Sequence, residues 1–203
     1  MFFRFIVCLL FLGNLTPLAA QDVYLCVWRN PERTMTRIFP EARDYKTVSL
    51  PISAEQRQSI EERLGFALLP GQQDRFQYFE MTGQAGRPIG TIIAASQKGE
   101  YGAVEFVFGL DEEGIIKGLY VQRARERDQS FKERAFLDRF VGRSIRQVDD
   151  FPDFNPDDPS PGALAVIRGL VKEIVCYVEL VPAGTGSEQG PVAVVSRRPV
   201  VRS

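Results

Sequence analysis

Histidine is absent from the 203-residue chain, and tryptophan occurs once. The missing imidazole excludes His-assisted triads, haem attached through Cys-x-x-Cys-His and most catalytic zinc sites. Cysteine is scarce: Cys8 lies in the N-terminal segment, which leaves Cys26 and Cys176. That pair is either a disulfide or two buried thiols, because sequence alone does not set the Cα separation of under about 7 Å that a bridge requires. Neither charge is in large excess, with 25 basic and 26 acidic side chains. No nucleic-acid partner is implied by that balance. No internal repeat of useful period is present.

What is there begins with three blocks: Met1 to Arg4 with a positive charge, the apolar run Phe5 to Leu12, and the small-residue exit Thr16 to Ala20. This order predicts a secretory signal over 1–20 and a mature domain in the periplasm or at the cell surface. The competing reading is a retained anchor, and membrane contact is expected only in that case. A spanning helix needs roughly 20 apolar residues, and Arg4, Gly13, Asn14 and Pro17 interrupt the run. The remainder is long enough for one domain with a sizeable core.

Periodicity predicts a single α+β domain, an antiparallel sheet of about four to five strands covered by helices. Pro31 to Phe39 reads as a short helix and Tyr45 to Leu50 as a strand. Ser53 and Gln56 form a capping box for a helix that Gly65 ends. Four segments rich in β-formers follow, Asp74–Met81, Pro88–Ala95, Tyr101–Leu110 and Ile115–Arg123, separated by glycine-containing turns as in a meander. Val104, Phe106 and Phe108 alternate with Glu105, Val107 and Gly109, which predicts helices over one face. An amphipathic helix is expected from Ser130 to Phe140, its stripe being Phe131, Ala135, Phe136 and Phe140. After the acidic, proline-rich stretch Asp149 to Pro161, a helix over 162–181 places Leu164, Ile167, Leu170, Val171, Ile174 and Val178 on its buried side. The tail from Pro182 to Ser203 reads as mobile, with an edge strand possible at 192–195.

In order along the chain, Gly99 to Asp111, Glu113 to Gly118, Arg125-Glu126 and Phe136 to Ser144 resemble the FMN-binding domain of extracytoplasmic electron-transfer proteins. The relatives are the flavin-carrying subunits of the Rnf and sodium-pumping NADH:quinone reductase complexes and their free periplasmic cousins. Ile38 to Ala42 and Glu62 to Gly65 look like the extension of the free members. On that resemblance, residues 21–95 are an N-terminal extension, 96–181 the FMN-binding-like domain and 182–203 a tail. The family's flavin-attachment turn matches Ser160-Pro-Gly-Ala-Leu164: Gly162 and Ala163 align, but Leu164 stands where the family has the threonine that is esterified to the FMN phosphate. A hydrocarbon cannot form that ester, so any FMN would be held noncovalently. A helix N-terminus with glycine near its start can still bind a phosphate through N–H groups and the helix dipole. The resemblance therefore implies a site made of Ser160, Gly162, Ala163 and Leu164, with Arg125 and Glu126 nearby.

The segment from Lys117 to Arg146 is more basic than the rest and suits a phosphate dianion. Taken singly, these arginines read first as solvated faces of a strand and a helix, partly paired with Glu126, Asp128, Glu133 and Asp138. Asp153 to Asp157 imitates a calcium loop, but Asp158 replaces the required glycine and Leu164 the required glutamate. Glu61-Glu62 and Glu112-Glu113 point apart and make no glycosidase pair. Phe106 or Phe108 would wall an isoalloxazine ring only if it faced the site. Two functions follow: an FMN carrier or accessory of a membrane-bound or periplasmic redox complex, or a flavin-free descendant kept as an interaction or assembly module. A hydrolase lacks a nucleophile motif.

Overall fold

A computed structural model describes residues 31–154, 157, 159–181 and 193–199. The expected signal segment, Cys26 and Trp28 lie outside the described residues, as does most of the tail. The fold is α+β. Its strands are β1 (Asp44–Pro51), β2 (Arg75–Thr82), β3 (Pro88–Lys98), β4 (Ala103–Leu110), β5 (Ile116–Arg123) and β6 (Ala193–Pro199). Its helices are α1 (Pro31–Ile38), α2 (Ala54–Leu64), α3 (Arg134–Leu137) and α4 (Pro161–Leu180).

The strands form one antiparallel sheet in the order β5-β4-β3-β2-β1-β6. From β2 to β5 it is the expected meander, and β6 adds the edge strand beside β1. The residue-95 boundary falls inside β3, so strands from both sides of it share the sheet. Turn chemistry sets the connections. Asp111 Oδ1 accepts from the N–H groups of Glu113 and Ile115 at 3.0 and 2.8 Å, and Gly114 takes a φ of 77° in the turn before β5. The capping box forms as expected: Ser53 Oγ accepts from the Gln56 N–H, Gln56 Oε1 accepts from the Ser53 N–H, and Gly65 ends α2 in the left-handed region.

One face of the sheet packs Phe76, Tyr78, Ile93, Phe106, Phe108 and Leu119 beneath α4, with α2, α3 and the turns before α4 beside it. The other face was expected to be uncovered, yet it carries a second, smaller core. There Met35, Ile38 and Phe39, at the end of α1, cover Phe79, Met81, Ile92 and Val107. The alternate face of β4 is thus the seat of α1.

The expected helix over 130–140 is broken. A 3₁₀ turn at Ser130–Lys132 and α3 are separated by Glu133, whose ψ of 149° is extended. In one continuous helix Phe131 and Phe136 would stand roughly 140° apart around the axis. The break lets Phe131, Phe136, Leu137 and Phe140 all enter the core, while Ala135 is exposed. The buried face of α4 is also rotated from expectation: Ala163, Val166, Ile167, Leu170 and Ile174 are inside, Leu164 and Val171 are half-buried, and Val178 is 44% exposed.

Candidate functional site

Helix α4 begins where Ser160, with an extended ψ of 154°, precedes Pro161 at the first helical position. Ser160 Oγ accepts from the Ala163 N–H at 3.3 Å, and the Ser160 carbonyl accepts from the Leu164 N–H at 3.0 Å. Pro161 has no N–H. Of the N–H groups inside the first turn of α4, that of Gly162 has no acceptor among the described residues.

Gly162 is itself covered. A Cβ on it would lie 2.2 Å from Cε1 of Phe131, a ring with no solvent exposure. The glycine is needed for the close approach of this ring, so the space beside it is filled by a core aromatic. Ala163 is likewise buried, and Leu164 is half-buried. A carboxylate already stands at this end of the helix. Asp128 accepts from the Ser130 N–H and hydroxyl at 2.9 and 2.7 Å and from the Ser160 hydroxyl, and these bonds hold its pKa below the usual aspartate range. The helix dipole favours that negative charge, and a phosphate brought to the same place would meet it as a like charge.

The loop carrying Asp128 also carries Arg125 and Glu126, and it splits them. Glu126 is 5% exposed, and its Oε1 accepts from the Tyr101 N–H at 3.2 Å. It lies so close to Gly99 that a Cβ there would come within 2.2 Å of that oxygen. Its carbonyl accepts from the Gln129 side-chain amide. Glu126 Oε2 has no hydrogen-bond partner among the described residues. Glu126 thus anchors the β3–β4 hairpin to this loop, whereas Arg125 is exposed. Arg127 is exposed as well, with its guanidinium 4.9 Å from the centre of the Tyr101 ring.

The structure therefore brings Ser160, Gly162 and Ala163 together with Asp128 and Phe131, and ties Glu126 to the same loop. Leu164 adds only hydrocarbon, and Arg125 is on the outer surface. Phe106 and Phe108 are both fully buried beneath α4. Among the described residues there is no group of three or more Cys, Asp or Glu side chains placed to hold a metal ion.

Comparison with protein-family models and with curated proteins gives no match.

Asp128 and Phe131 were not singled out from sequence as parts of this end of the fold. Asp128-Gln-Ser130 is a local signal of the kind in which an aspartate caps the next turn, and it could have been read. Nothing in the sequence indicated that Phe131 would be the partner of Gly162, since the contact joins residues 31 apart through tertiary packing.

A second polar group was not foreseen either. Lys172 is 1% exposed at mid-α4. Its Nζ donates to Gln72 Oε1 and to the Ser96 carbonyl, both at 2.7 Å, and pairs with Glu173 Oε1 at 3.2 Å. Gln72 Nε2 donates to the same Glu173 oxygen at 3.2 Å. Burial pushes the Glu173 carboxyl above its ordinary pKa against the opposing pull of Lys172 and Gln72. Cys176, one turn on, is a buried thiol whose pKa burial also raises. With every Lys172 donor direction taken up by protein, this group ties the turn at Pro70–Gln72 to α4 and β3.

Proposed function

We propose that the chain is a flavin-free relative of the FMN-binding domains it resembles, and that it serves outside the cytoplasm as an interaction or assembly module of a membrane redox complex. The observation that carries this reading is the filled turn at the start of α4. Phe131 occupies the space beside Gly162, Ser160 has taken the Ala163 N–H, Asp128 supplies the negative charge, and Leu164 replaces the hydroxyl needed for attachment. A noncovalent phosphate relies on free N–H groups and a close backbone approach; here Ser160 takes the Ala163 N–H, and Phe131 fills the approach to Gly162.

The sequence order of the resembling segments and the exposed arginines Arg125 and Arg127 leave FMN as the second reading. In that reading the isoalloxazine would supply the redox chemistry, and Arg125 with the α4 turn would hold the phosphate. An absorption spectrum of the exported, purified protein separates the two. Colourless protein is expected, and the Leu164→Thr variant produced together with a flavin-transferring enzyme is expected to stay colourless, because restoring the hydroxyl does not reopen the turn. A yellow wild type whose flavin is released on denaturation would establish the carrier reading instead.

A further inference from the structure

We propose that the outer edge of β1 is a strand-binding site, filled here by the chain's own C-terminal strand β6 and open to the β6 of a second copy in its place. A sheet accepts another strand only where an edge offers unpaired N–H and C=O groups. The β5 edge is closed at its start: the Ile116 N–H donates to the Arg143 carbonyl at 2.9 Å, the Gly142 N–H donates to the Ile116 carbonyl at 2.8 Å, and Ile115 is bridged to Ser144. At the opposite side of the sheet, β1 is secured without β6. It pairs with β2 over its whole length, Asp44–Pro51 against Arg75–Thr82, and its Val48 and Tyr45 belong to the two cores beneath α4 and α1. In an antiparallel pair alternate residues direct their N–H and C=O groups away from the partner, so β1 presents such a row to whatever lies beyond it.

The attachment of β6 is the ladder with β1. Among the described elements, β1 is the one it meets at length. The register shifts between Thr47 and Val48, whose partners are Ser196 and Val194, and Val195 is left out of it. A bulge of this kind interrupts the ladder. Residues 181–192 separate β6 from α4, and they include three glycines and two prolines. Apart from proline, Val181 and Val192 are the only apolar side chains larger than alanine among them. Fully extended, a connection of this length reaches about 40 Å.

The same backbone pairs form whether β6 comes from the same chain or from another. What differs is the tether, which gives the chain's own strand an effective concentration of about the millimolar range. Exchange between copies becomes competitive as the protein approaches that concentration, and a copy whose own strand is disabled becomes an acceptor for a free one. The second copy is the partner indicated because Ala193 to Pro199 is the sequence that the β1 edge accommodates, bulge included, and every copy carries it. Occupation of this edge is independent of the flavin question, since the loop that closes the start of α4 follows β5, at the far side of the strand order.

The test uses the full mature chain and a fluorescently labelled peptide of residues 192–199. A variant with Gly or Ser at every position from 193 to 199 keeps the chain length and leaves the β1 edge open. It should bind the peptide saturably and at least about tenfold more tightly than the wild type, whose own strand competes. A peptide carrying Val194→Pro and Arg197→Pro lacks two ladder N–H groups and should bind that variant at least about tenfold more weakly. For the wild type, light scattering should show the mass rising from one copy toward two as the protein is concentrated to a few millimolar. Excess unlabelled peptide should suppress that rise, which carries the test if the variant does not fold. Equal peptide binding by variant and wild type, equal binding of the proline-containing peptide, a wild-type mass that stays at one copy, or a rise that the peptide leaves unchanged would each overturn the proposal.

Discussion

Gly162 decides how the start of α4 is read. Alanine is the better helix former by about 1 kcal/mol, yet a methyl there would press into the Phe131 ring, which has no free side to retreat to. Gly162→Ala should therefore destabilise the fold by about 1–3 kcal/mol in urea unfolding, the usual range for overpacking. Combined with Phe131→Ala, it should cost markedly less than the sum of the two single changes. Additive losses would mean the two residues do not meet. Lys172 offers a second case at the same scale. Lys172→Met strands a buried carboxylate and should cost about 3–5 kcal/mol, most of it recovered in the double variant with Glu173→Gln. The pH dependence follows from the raised Glu173 pKa: the native state holds this proton more tightly than the unfolded chain. Its contribution to stability is full below the unfolded carboxyl range and is lost as pH rises through the native value. The penalty of Lys172→Met should accordingly shrink in mildly acidic urea titrations, and a penalty that grew with acid would contradict the burial of the pair.

Elements were legible where local chemistry fixes them. Ser53 and Gln56 announce α2, and alternation with glycine turns announces the strands of the meander, because those signals lie within a few residues. One helical reading failed and another held only in part where packing overrides period. The 130–140 segment breaks at Glu133 so that Phe131 and Phe136 can both be buried. The inner face of α4 includes Ile167, Leu170 and Ile174 as expected but not Val178, because its small residues lie closest to the sheet. Gly169 sits so near the Phe106 ring that a Cβ would be 2.9 Å from it, and counting large apolar side chains passes over such a position. Lys172 reads from sequence as a solvated helix residue, since its partners come from a distant turn and strand. The cap of α4 carries its own prediction. Asp128 has a lowered pKa, so its stabilising effect is present above the unfolded carboxyl range and is lost as pH falls through the native value. Ser160→Ala removes an N-cap, at about 1 kcal/mol, and also a donor to Asp128. Thermal unfolding of this variant should show a weaker loss of stability on acidification than the wild type; an unchanged acid limb would remove Asp128 from the cap.

For the whole molecule, the sheet class and strand order follow from the pattern of short strands and turns, but the second core under α1 does not, because Val107 and Gly109 look like a mixed outer face until α1 is seen to cover them. The site was legible as a location and not as a state. Ser160, Gly162 and Ala163 do form a helix start, and Glu126 does belong to the adjoining loop. Whether that start is open is a tertiary property, set by Phe131 and Asp128. The most direct measurement is therefore an amide NMR titration of the folded protein with FMN and, separately, with inorganic phosphate, observed at Gly162 and Ala163. These two resonances should stay in place at ligand concentrations that leave the protein intact. A saturable shift at Gly162 with FMN would show that the turn still receives the cofactor, and would contradict the account of a closed α4 N-terminus.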